Sequence, residues 1–465
     1  MNKHQITGSA VLQKLTDILG EKSILIGSEI SDQYTADWSE AMACRPIALI
    51  KPASVAELAS ILSVCNDHRQ AIVVQGGLTG LAGGATPQPD ELAISLERMT
   101  GIEEIDPIAM TLTALAGTPL ELLQQAAAEH GLMVPLDLGA RGSCTIGGNV
   151  STNAGGTEVI RYGMTRAMVL GLEAVLADGS VISSMNKMLK NNSGYDLKQL
   201  FIGTEGTLGV VTRVVLQLQP RLKDTQTALL SLDHYADVTQ VLTKLKSELN
   251  HGLTTFELMW QDYVDKVLEL HPDLPKPFAN TSPFYLLVEC ESNNGAVGKE
   301  MMENCLGACL AQELINDAVI AQSGRDAEAF WKIREGVAEL LQDYHHRSNQ
   351  DVSLPITGIG DYAESLRAEL LAEFPSAELF LFGHIGDSNL HIIASTGEQS
   401  DCAALTKLIM DKVREYGGSV SAEHGIGVLK RRYLSYTRSK AEVQLMKTIK
   451  QALDPNNILN PGRVI

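Results

Sequence analysis

Cysteine is sparse in this chain of 465 residues, which has seven cysteines and no Cys-x-x-Cys pair. Because the seven are scattered, the sequence offers no disulfide framework, no zinc ribbon and no iron–sulfur binding run. A reducing cytoplasm is therefore the expected location.

Long apolar runs are also missing from the sequence. No stretch reaches the roughly 18 to 20 apolar residues that cross a bilayer. Residues 1–7 have neither the apolar core of a signal peptide nor the Arg-rich pattern of a transit peptide. We therefore expect no membrane span and no targeting segment.

Positive charge is in short supply, since 37 Lys and Arg stand against 56 Asp and Glu, a formal net charge of −19. Such an excess of acid argues against nucleic acid or an anionic membrane as a partner. An anionic substrate would need a local basic pocket. The composition, with 45% hydrophobic and 20% charged residues, is that of a globular protein, and the length favours two or three domains.

The pattern of residues 47–84 predicts strand, helix, strand and glycine-rich loop, an α/β order. Ser54 and Glu57 form a capping box for the helix, and residues 76–84 contain five glycines in nine positions. Backbone N–H groups of such a loop can cradle phosphate oxygens. Neither a triphosphate-binding loop nor the usual Gly-x-Gly-x-x-Gly fingerprint is present, so a flexible surface loop is the alternative.

Residues 135–156 form a second glycine-rich region, whose Ser, Thr and Asn side chains favour contact with a buried polar ligand over a linker. Just before it, Thr118 is predicted to cap a helix with Pro119 at the first position. Asp178-Gly179 predicts a hairpin. After Pro220 glycine becomes scarce, and the order of strands and helices predicts an α+β domain with an antiparallel sheet.

Two histidines, His384 and His391, flank a Gly-Asp-Ser-Asn run that favours a strand–loop–strand corner. Glu423 and His424 follow further along the chain. Two His and a Glu can hold a divalent metal with open positions for a substrate, and His424 then remains as a base. His-x6-His is not one of the tight metal spacings, so ordinary polar loop residues are the alternative.

Six segments occur in a fixed order along nearly the whole chain, namely 76–84, 146–156, 195–209, 383–391, 422–425 and 454–462. Together they resemble the FAD-linked D-2-hydroxy acid dehydrogenases, whose FAD domain is of the vanillyl-alcohol-oxidase or PCMH type, and in particular the bacterial D-2-hydroxyglutarate dehydrogenases. The resemblance implies an α+β chain with a two-subdomain PCMH-type FAD-binding domain at 1–220. It further implies an α+β cap domain with an antiparallel sheet and the metal site at 221–415, and a C-terminal helical segment at 416–465 that returns to the FAD domain.

The resemblance also implies FAD bound without a covalent link, since the first glycine loop lacks the histidine to which other members attach the flavin. The pyrophosphate is expected on residues 76–80. The residues implied to bind FAD are Pro52, Gly76, Gly77, Leu78, Thr79, Gly80, Leu81, Asp137, Ser143, Ile146, Gly147, Gly148, Asn149, Thr152, Asn153, Gly155, Glu205, Gly206, Gly209, Val210 and Asn460.

Carried over by motif, His384, His391 and Glu423 are the ligands of Zn²⁺ or another divalent metal. His424 is the base, and Arg334 clamps the substrate carboxylate with its planar fork. The implied reaction oxidises a D-2-hydroxy acid to the 2-oxo acid, with hydride to flavin N5.

Electrons then pass to a separate acceptor such as an electron-transfer flavoprotein or a quinone. The alternatives are an FAD oxidase that uses O₂ and a flavin-binding subunit of a glycolate-oxidase-type complex. A homodimer is one option for assembly.

Three predicted substrate positions depart from the D-2-hydroxyglutarate pattern of the family. Ala338 stands where the family has Ser or Thr, Asn349 where it has Lys, and Ile393 where it has Asn. Each change removes a donor for a second substrate carboxylate, which costs binding when that group is buried. Basic side chains at 345–347 could compensate, so D-2-hydroxyglutarate and a shorter or more apolar acid such as D-lactate both stay open.

Overall fold

The computed structural model describes residues 3–39, 41–249 and 252–465. The chain forms two compact units, each of which is described by itself. Unit 1 contains Met1–Gly156, Tyr162–Arg221 and Glu423–Ile465, and unit 2 contains Thr157–Arg161 and Leu222–Ala422. The three segments 1–220, 221–415 and 416–465 remain a prediction about domains.

The described residues form these strands in chain order: β1 (Ile24–Ile26), β2 (Ala48–Ile50), β3 (Ile72–Gln75), β4 (Leu92–Ser95), β5 (Ile102–Asp106), β6 (Thr111–Leu115), β7 (Leu132–Met133), β8 (Val169–Val175), β9 (Val181–Ser184), β10 (Val210–Gln217), β11 (Gln219–Pro220), β12 (Asp224–Leu232), β13 (Leu253–Trp260), β14 (Phe284–Ser292), β15 (Asp317–Ile320), β16 (Ser348–Ser353), β17 (Glu378–Gly383) and β18 (Asn389–Ser395). The helices are α1 (Lys3–Leu19), α2 (Val55–His68), α3 (Leu120–Ala128), α4 (Ile146–Thr152), α5 (Val159–Tyr162), α6 (Thr165–Met168), α7 (Tyr235–Glu248), α8 (Gln261–Leu270), α9 (Gly295–Ala311), α10 (Gly324–Glu335), α11 (Val337–Asp343), α12 (Ile359–Glu373), α13 (Cys402–Glu415), α14 (Leu434–Thr437) and α15 (Lys440–Leu453).

The first sheet of unit 1 has the strand order β1-β2-β4-β3. Strands β2, β4 and β3 run parallel, and β1 pairs antiparallel with β2. Helix α2 connects β2 to β3, and the Ser54 hydroxyl accepts from the Glu57 N–H at its start. The Glu57 carboxylate accepts from the Ala53 N–H at 2.7 Å, so the Ser54 half of the predicted capping box is confirmed and the Glu57 half is replaced by this neighbouring bond. Because parallel strands end at the same edge, Pro52 and the glycine loop after β3 lie at one edge of this sheet.

The second sheet of unit 1 is antiparallel, with the order β5-β6-β10-β8-β9. Asp178-Gly179 turns the chain from β8 into β9, and Gly179 has a φ of 86°, so the predicted hairpin is confirmed. Residues from both sheets, such as Ile72 and Val214, share one apolar core. That core joins these two sheets, and β7 pairs with β11 in a further two-stranded sheet of the unit.

Two helices near the second glycine-rich region correct local expectations. The prediction that Thr118 caps α3 is wrong, because the N-cap is Pro119 and the Thr118 hydroxyl donates to Leu115 O at 2.7 Å. Residues 135–156 also contain helix α4, which the composition did not predict. Its N-cap is Thr145, whose hydroxyl oxygen accepts from the Gly148 N–H.

The C-terminal segment of unit 1 runs beside β3. Helix α15 begins at a capping box of Ser439 and Glu442. Further on, Leu459 pairs in parallel with Ile72. The C-terminal chain therefore extends the sheet at the strand that leads into the glycine loop.

Unit 2 is built on one antiparallel sheet, ordered β15-β12-β14-β13-β17-β18-β16 in the described part of the chain, as the sequence predicts. Met259 on β13 pairs with Phe382 on β17, which in turn pairs with His391 on β18, and His391 pairs with Asp351 on β16. Side chains alternate between the faces of a sheet. Those four side chains and Glu257, two residues before Met259, therefore share one face.

An aromatic and aliphatic layer covers that face of the unit 2 sheet. Phe380, Phe382 and Ile393 pack there with Tyr263 of α8 and Phe330 of α10. Polar side chains on this face are thus surrounded by apolar ones. Within the three described ranges, no helix combines the length and the apolar character that a membrane span requires.

Lys450 of α15 provides a test of how the C-terminal segment is held. Its ammonium donates to Thr207 O at 2.8 Å, Leu459 O at 2.7 Å and Asp454 Oδ2 at 2.5 Å. Lys450→Met leaves the buried Asp454 charge without this partner, so the free energy of unfolding should fall by about 3 kcal/mol. Urea unfolding measures it. Lys447→Met, exposed on the same helix, is the control, and equal stability of the two variants would contradict the expectation.

Candidate active site

Glu257 is the centre of a buried ionic group in unit 2. It is 0% exposed on β13. Its Oε2 accepts from Arg334 Nε at 2.7 Å, and its Oε1 accepts from His384 Nδ1. Burial alone would raise the Glu257 pKa, but the interactions with His384 and Arg334, which both donate to this carboxylate, outweigh burial and lower that pKa to about 2. Glu257 is therefore a carboxylate at neutral pH, and it fixes the orientation of both partners.

The two motif histidines lie at the predicted strand–loop–strand corner, which is confirmed. Strand β17 ends at Gly383, where a Cβ would lie 2.5 Å from Asn389 O, so only glycine permits this close return of the chain. A 3-10 turn follows, Ser388 adopts a left-handed φ of 80°, and β18 begins. The rings of His384 and His391 lie 5.3 Å apart between centroids, at 82° to one another.

The tautomer of His384 follows from its bond to Glu257. A carboxylate accepts only, so Nδ1 carries the hydrogen, and a neutral ring then presents Nε2 as its lone-pair nitrogen. This is the arrangement found around metal-ligating histidines, where a second group orients the ring.

Arg334 lies on α10 and is 6% exposed. Its guanidinium carbon is 4.8 Å from the centre of the Phe382 ring. Ser323 caps the N-terminus of α10 by accepting from the Asp326 N–H, which places Arg334 in the last turn of that helix. The predicted carboxylate clamp thus lies on the sheet face that carries His391.

Asp351 on β16 lies on the same sheet face and contacts residues of two neighbouring segments. It is 0% exposed, its Oδ1 accepts from Asn389 Nδ2 at 3.0 Å, and the same oxygen lies 3.9 Å from His391 Nδ1. Its Oδ2 accepts from the Ala422 N–H at 3.1 Å. Asp351 therefore fixes the residue that directly precedes Glu423.

Unit 2 brings the two predicted histidine ligands together, with the ring centroids of His384 and His391 5.3 Å apart. Two imidazoles and a carboxylate are a donor set that suits zinc, so these histidines fit a divalent metal. Glu423 begins the last segment of unit 1, and its role as the third ligand remains a prediction. Asp351, which is buried 3.9 Å from His391 Nδ1, is an alternative carboxylate ligand within unit 2.

Sequence reasoning missed Glu257 and Asp351 as site residues, although a signal was present for Glu257. Glu257 is the single charged residue in Leu253–Trp260, a strand that is mostly apolar. A lone acid inside such a strand is rarely buried without a partner. Ser348–Ser353 is polar apart from Val352, so the same rule gives no signal for Asp351.

Two of the three predicted substrate positions are neighbours. Asn349 of β16 pairs directly with Ile393 of β18, next to the His391–Asp351 pair on the same face. Ile393 is 0% exposed, whereas Ala338 is exposed on α11. Asn349 and Ile393 thus lie on the same sheet face as His391, whereas Ala338 lies on a helix. Contact of all three with a substrate remains a prediction.

The predicted FAD residues of unit 1 lie on segments that contact each other. A Cβ on Gly77 would overlap Ser143 O, and one on Gly76 would lie 2.6 Å from Thr145 Oγ1. The two glycine-rich regions therefore pack backbone against backbone. In α/β sheets, ligands bind at the carboxyl ends of parallel strands, which is the edge where Pro52 and the first loop lie.

Asn460 connects β3 to the segment around residue 205. Its Oδ1 accepts from the Val74 N–H at 2.9 Å, and its Nδ2 donates to Glu205 O at 2.6 Å. The Glu205 N–H donates to Ser151 O at 2.8 Å. The predicted cofactor residues on these three segments are thus neighbours, as the motifs imply.

Two buried side-chain oxygens of unit 1 fit a polar cofactor. Asn149 Oδ1 on α4 and Gln75 Oε1 at the end of β3 have no hydrogen-bond partner among the described residues. Buried acceptors are normally satisfied, and the hydroxyl and N–H groups of FAD are donors of the required kind. The residues present therefore fit FAD.

Other predicted FAD residues are engaged within the chain. Asn153 Oδ1 accepts from the Arg166 N–H at 2.9 Å, and Asp137 is paired with Arg141. Ile146 and Val210 contribute their side chains to the apolar core. Their contacts with a cofactor remain predictions.

Comparison with known proteins agrees with both halves of this description. The FAD binding domain profile matches residues 46–184, and the profile of the C-terminal domain of FAD linked oxidases matches residues 221–464. The chain is 39% identical, over 93% of its length, to a D-2-hydroxyglutarate dehydrogenase of Xanthomonas citri pv. viticola, covering 92% of that relative. The chain belongs to the FAD-linked D-2-hydroxy acid dehydrogenase family.

Another relative of this chain is named a putative mitochondrial D-lactate dehydrogenase, from Schizosaccharomyces pombe. The identity is 35%, over 93% of this chain and 84% of the relative. Among solved structures, p-cresol methylhydroxylase with substrate bound matches with a TM-score of 0.80 at 16% identity, covering 99% of this chain and 97% of that chain. At this identity the likeness shows the fold alone, and it confirms the predicted PCMH-type α+β fold.

We expect Glu257→Gln to destabilise this FAD-linked dehydrogenase strongly. The amide leaves the buried Arg334 charge uncompensated, so the free energy of unfolding should fall by about 3 to 5 kcal/mol. Denaturant unfolding of the purified variant measures it.

Glu289→Gln is the matched control on neighbouring β14. Glu289 Oε1 accepts from Trp331 Nε1 and Thr227 Oγ1, which a glutamine oxygen can reproduce. Its Oε2 accepts from Thr255 Oγ1 at 3.1 Å, a hydroxyl that can instead accept from the glutamine amide, so we expect a loss of at most about 1 kcal/mol. A Glu257→Gln variant as stable as this control would show that the ionic group is not needed for the fold.

Proposed function

We propose that this protein is an FAD- and zinc-dependent dehydrogenase that oxidises a D-2-hydroxy acid to the 2-oxo acid. The observation that carries the proposal is the buried group of unit 2, in which Glu257 joins Arg334 to His384 and the rings of His384 and His391 lie 5.3 Å apart, in a chain whose first half fits FAD. Bound FAD would supply the hydride acceptor, and a bound divalent cation would supply the positive charge that lowers the pKa of the substrate hydroxyl.

Arg334 would bind the substrate carboxylate. A buried guanidinium is costly unless it is paired, and the Glu257 carboxylate at 2.7 Å meets that cost while holding the Arg334 side chain in one orientation. Arginine suits this role because its planar group can pair with both oxygens of a carboxylate. In a chain with a net charge of −19, such a local cation is what an anionic substrate requires.

His424 would accept the proton of the substrate 2-hydroxyl on an imidazole nitrogen. Imidazole is suited to this because its unperturbed pKa is close to neutral pH. The hydroxyl hydrogen leaves as a proton and the C2 hydrogen leaves with its electron pair as hydride. Together they account for the two protons and two electrons that separate a 2-hydroxy acid from the 2-oxo acid. The base and the proposed ligand Glu423 are adjacent in the chain, so one loop sets both.

The far end of the substrate would be selected near Asn349 and Ile393. Their pairing across β16 and β18 gives one neutral polar and one apolar side chain beside His391, where the D-2-hydroxyglutarate pattern of the family has Lys and Asn. The named relatives include a D-2-hydroxyglutarate dehydrogenase and a putative D-lactate dehydrogenase. We therefore propose D-2-hydroxy acids as the class and these two acids as the first substrates to compare.

The acceptor and the cellular location form a further part of the proposal. An electron-transfer flavoprotein or a quinone as acceptor, and a cytoplasmic location, rest on the sequence and on the family. An O₂-using oxidase and a flavin-binding subunit of a larger complex are the alternatives that turnover experiments separate.

Anaerobic flavin bleaching against paired D- and L-2-hydroxy acids tests the activity without any assumption about the acceptor. We expect the visible flavin absorbance to fall with D-2-hydroxyglutarate or D-lactate and to stay constant with the L-forms. Bound flavin that no D-2-hydroxy acid reduces would refute the proposal. Stoichiometric peroxide release in air would assign the oxidase alternative.

His391→Ala tests the metal. Loss of one ligand should lower bound zinc, measured by elemental analysis, and turnover by at least about a hundredfold, while the FAD content of the protein stays unchanged. His234→Ala, an exposed histidine at the start of α7, is the control and should retain both.

Two outcomes of the metal test are diagnostic. Wild-type zinc and turnover in His391→Ala would exclude the proposed role of this side chain. Zinc loss in Asp351→Asn combined with zinc retention in His391→Ala would favour Asp351 as a metal ligand in place of His391.

A further inference from the structure

Glu205 has an unusual backbone that is held on both sides. Its φ is 52°, in the left-handed region that a residue other than glycine seldom adopts. Its N–H donates to Ser151 O at 2.8 Å, and its carbonyl accepts from Asn460 Nδ2 at 2.6 Å. These bonds fix the direction in which the Glu205 side chain leaves the chain.

The Glu205 carboxylate receives two backbone donors from the loop that follows His424. Ile426 N–H donates to Oε1 at 2.7 Å, and Gly427 N–H donates to Oε2 at 2.8 Å. A Cβ on Gly425 would lie 2.7 Å from Oε1. The approach therefore depends on glycine at position 425, and each carboxylate oxygen has its own donor.

The same loop is also fixed to the first glycine loop within unit 1. Ala82 O accepts from the Val428 N–H at 3.0 Å and from the Leu429 N–H at 3.2 Å. A Cβ on Gly427 would overlap Ala82 O. Residues 425–429 are thus held by two groups: the Glu205 carboxylate accepts from Ile426 and Gly427, and the Ala82 carbonyl accepts from Val428 and Leu429.

Of these two groups, the Glu205 carboxylate can be removed by substitution, whereas the Ala82 carbonyl belongs to the backbone. Enclosure by the protein raises the pKa of the Glu205 carboxyl, and the two N–H groups act against that rise. Peptide N–H groups that converge on a carboxylate stabilise its charged form. A glutamine of the same size offers one acceptor oxygen, so it can satisfy only one of these two donors.

We propose that Glu205 is a positioning residue that holds residues 426 and 427 and thereby sets the position of His424 and Glu423. This inference rests on the proposed function, because it takes His424 as the base and Glu423 as a metal ligand. It assigns the Glu205 side chain to the catalytic loop, beyond the predicted contact of this residue with FAD.

Glu205→Gln tests the proposal by two independent readouts. Hydrogen exchange should accelerate by about tenfold at the one amide, Ile426 or Gly427, that loses its acceptor, as expected for one lost hydrogen bond. The rate of anaerobic flavin reduction at saturating substrate should also fall about tenfold, with KM changed less than about twofold and FAD content unchanged, because a displaced base affects the chemical step and leaves binding intact.

Glu173→Gln is the matched control. Glu173 is a buried carboxylate of β8 in the same unit, and its Oε1 accepts from Thr212 Oγ1 at 3.0 Å, a bond that glutamine can keep. This variant should leave the exchange of both loop amides and the reduction rate at their wild-type values.

Gly425→Ala is a second variant if Glu205→Gln does not fold. It leaves Glu205 intact but places a methyl group against Oε1, and the same faster amide exchange and slower reduction are expected.

Unchanged exchange at Ile426 and Gly427 in a folded variant would overturn the proposal. So would loss of FAD with a normal reduction rate per bound flavin, which would leave Glu205 as a cofactor contact alone. If the wild-type flavin is not reduced by any D-2-hydroxy acid, the proposed function fails, whereas amide exchange still reports on the hold of Glu205.

Discussion

The buried carboxylate of Glu257 is the group on which the unit 2 site depends. It joins Arg334 of α10 to His384 beyond β17, and it lies on the strand that meets β17 in a short pairing at Leu258 and Met259. Ion pairs of this kind add little net stability compared with apolar packing, yet removing one partner is expensive. The consequence here is positional, since one carboxylate determines where the histidine and the arginine point.

Protonation of this group does not change at neutral pH, because the neighbouring positive charges keep the Glu257 pKa at about 2. Asp351 has a comparable role at the next pair of strands, where it binds Asn389 and the Ala422 N–H. The two acids lie on one sheet face together with His391, and an apolar layer surrounds them. A low-polarity environment strengthens each of these bonds, which explains how short loops can hold the two corner histidines in a defined geometry.

Unit 1 uses a different principle, namely close approach of backbone to backbone. Glycines 76 and 77 contact the segment at Ser143 and Thr145, and Gly425 and Gly427 let a second loop approach Glu205 and Ala82. Side chains at these positions would separate the segments. The glycine content of the first half, which by composition alone could indicate a flexible linker, instead allows several loops to meet at the edge where the parallel strands β2, β4 and β3 end.

The sequence by itself determined the features that depend on a few neighbouring residues: the Ser54–Glu57 cap of α2, the Asp178-Gly179 hairpin and the corner between His384 and His391. The order of its motifs also indicated the family, which the comparisons confirm. Local rules failed at Thr118, whose hydroxyl binds Leu115 O because Pro119 occupies the cap. Only the tertiary structure decided that Glu257 meets Arg334 and His384, that Asn349 lies opposite Ile393, and that Glu205 holds the loop after His424. The physical reason is distance along the chain: these partners are 77, 127, 44 and more than 200 positions apart, so strand register and loop packing, which no local pattern encodes, bring them together.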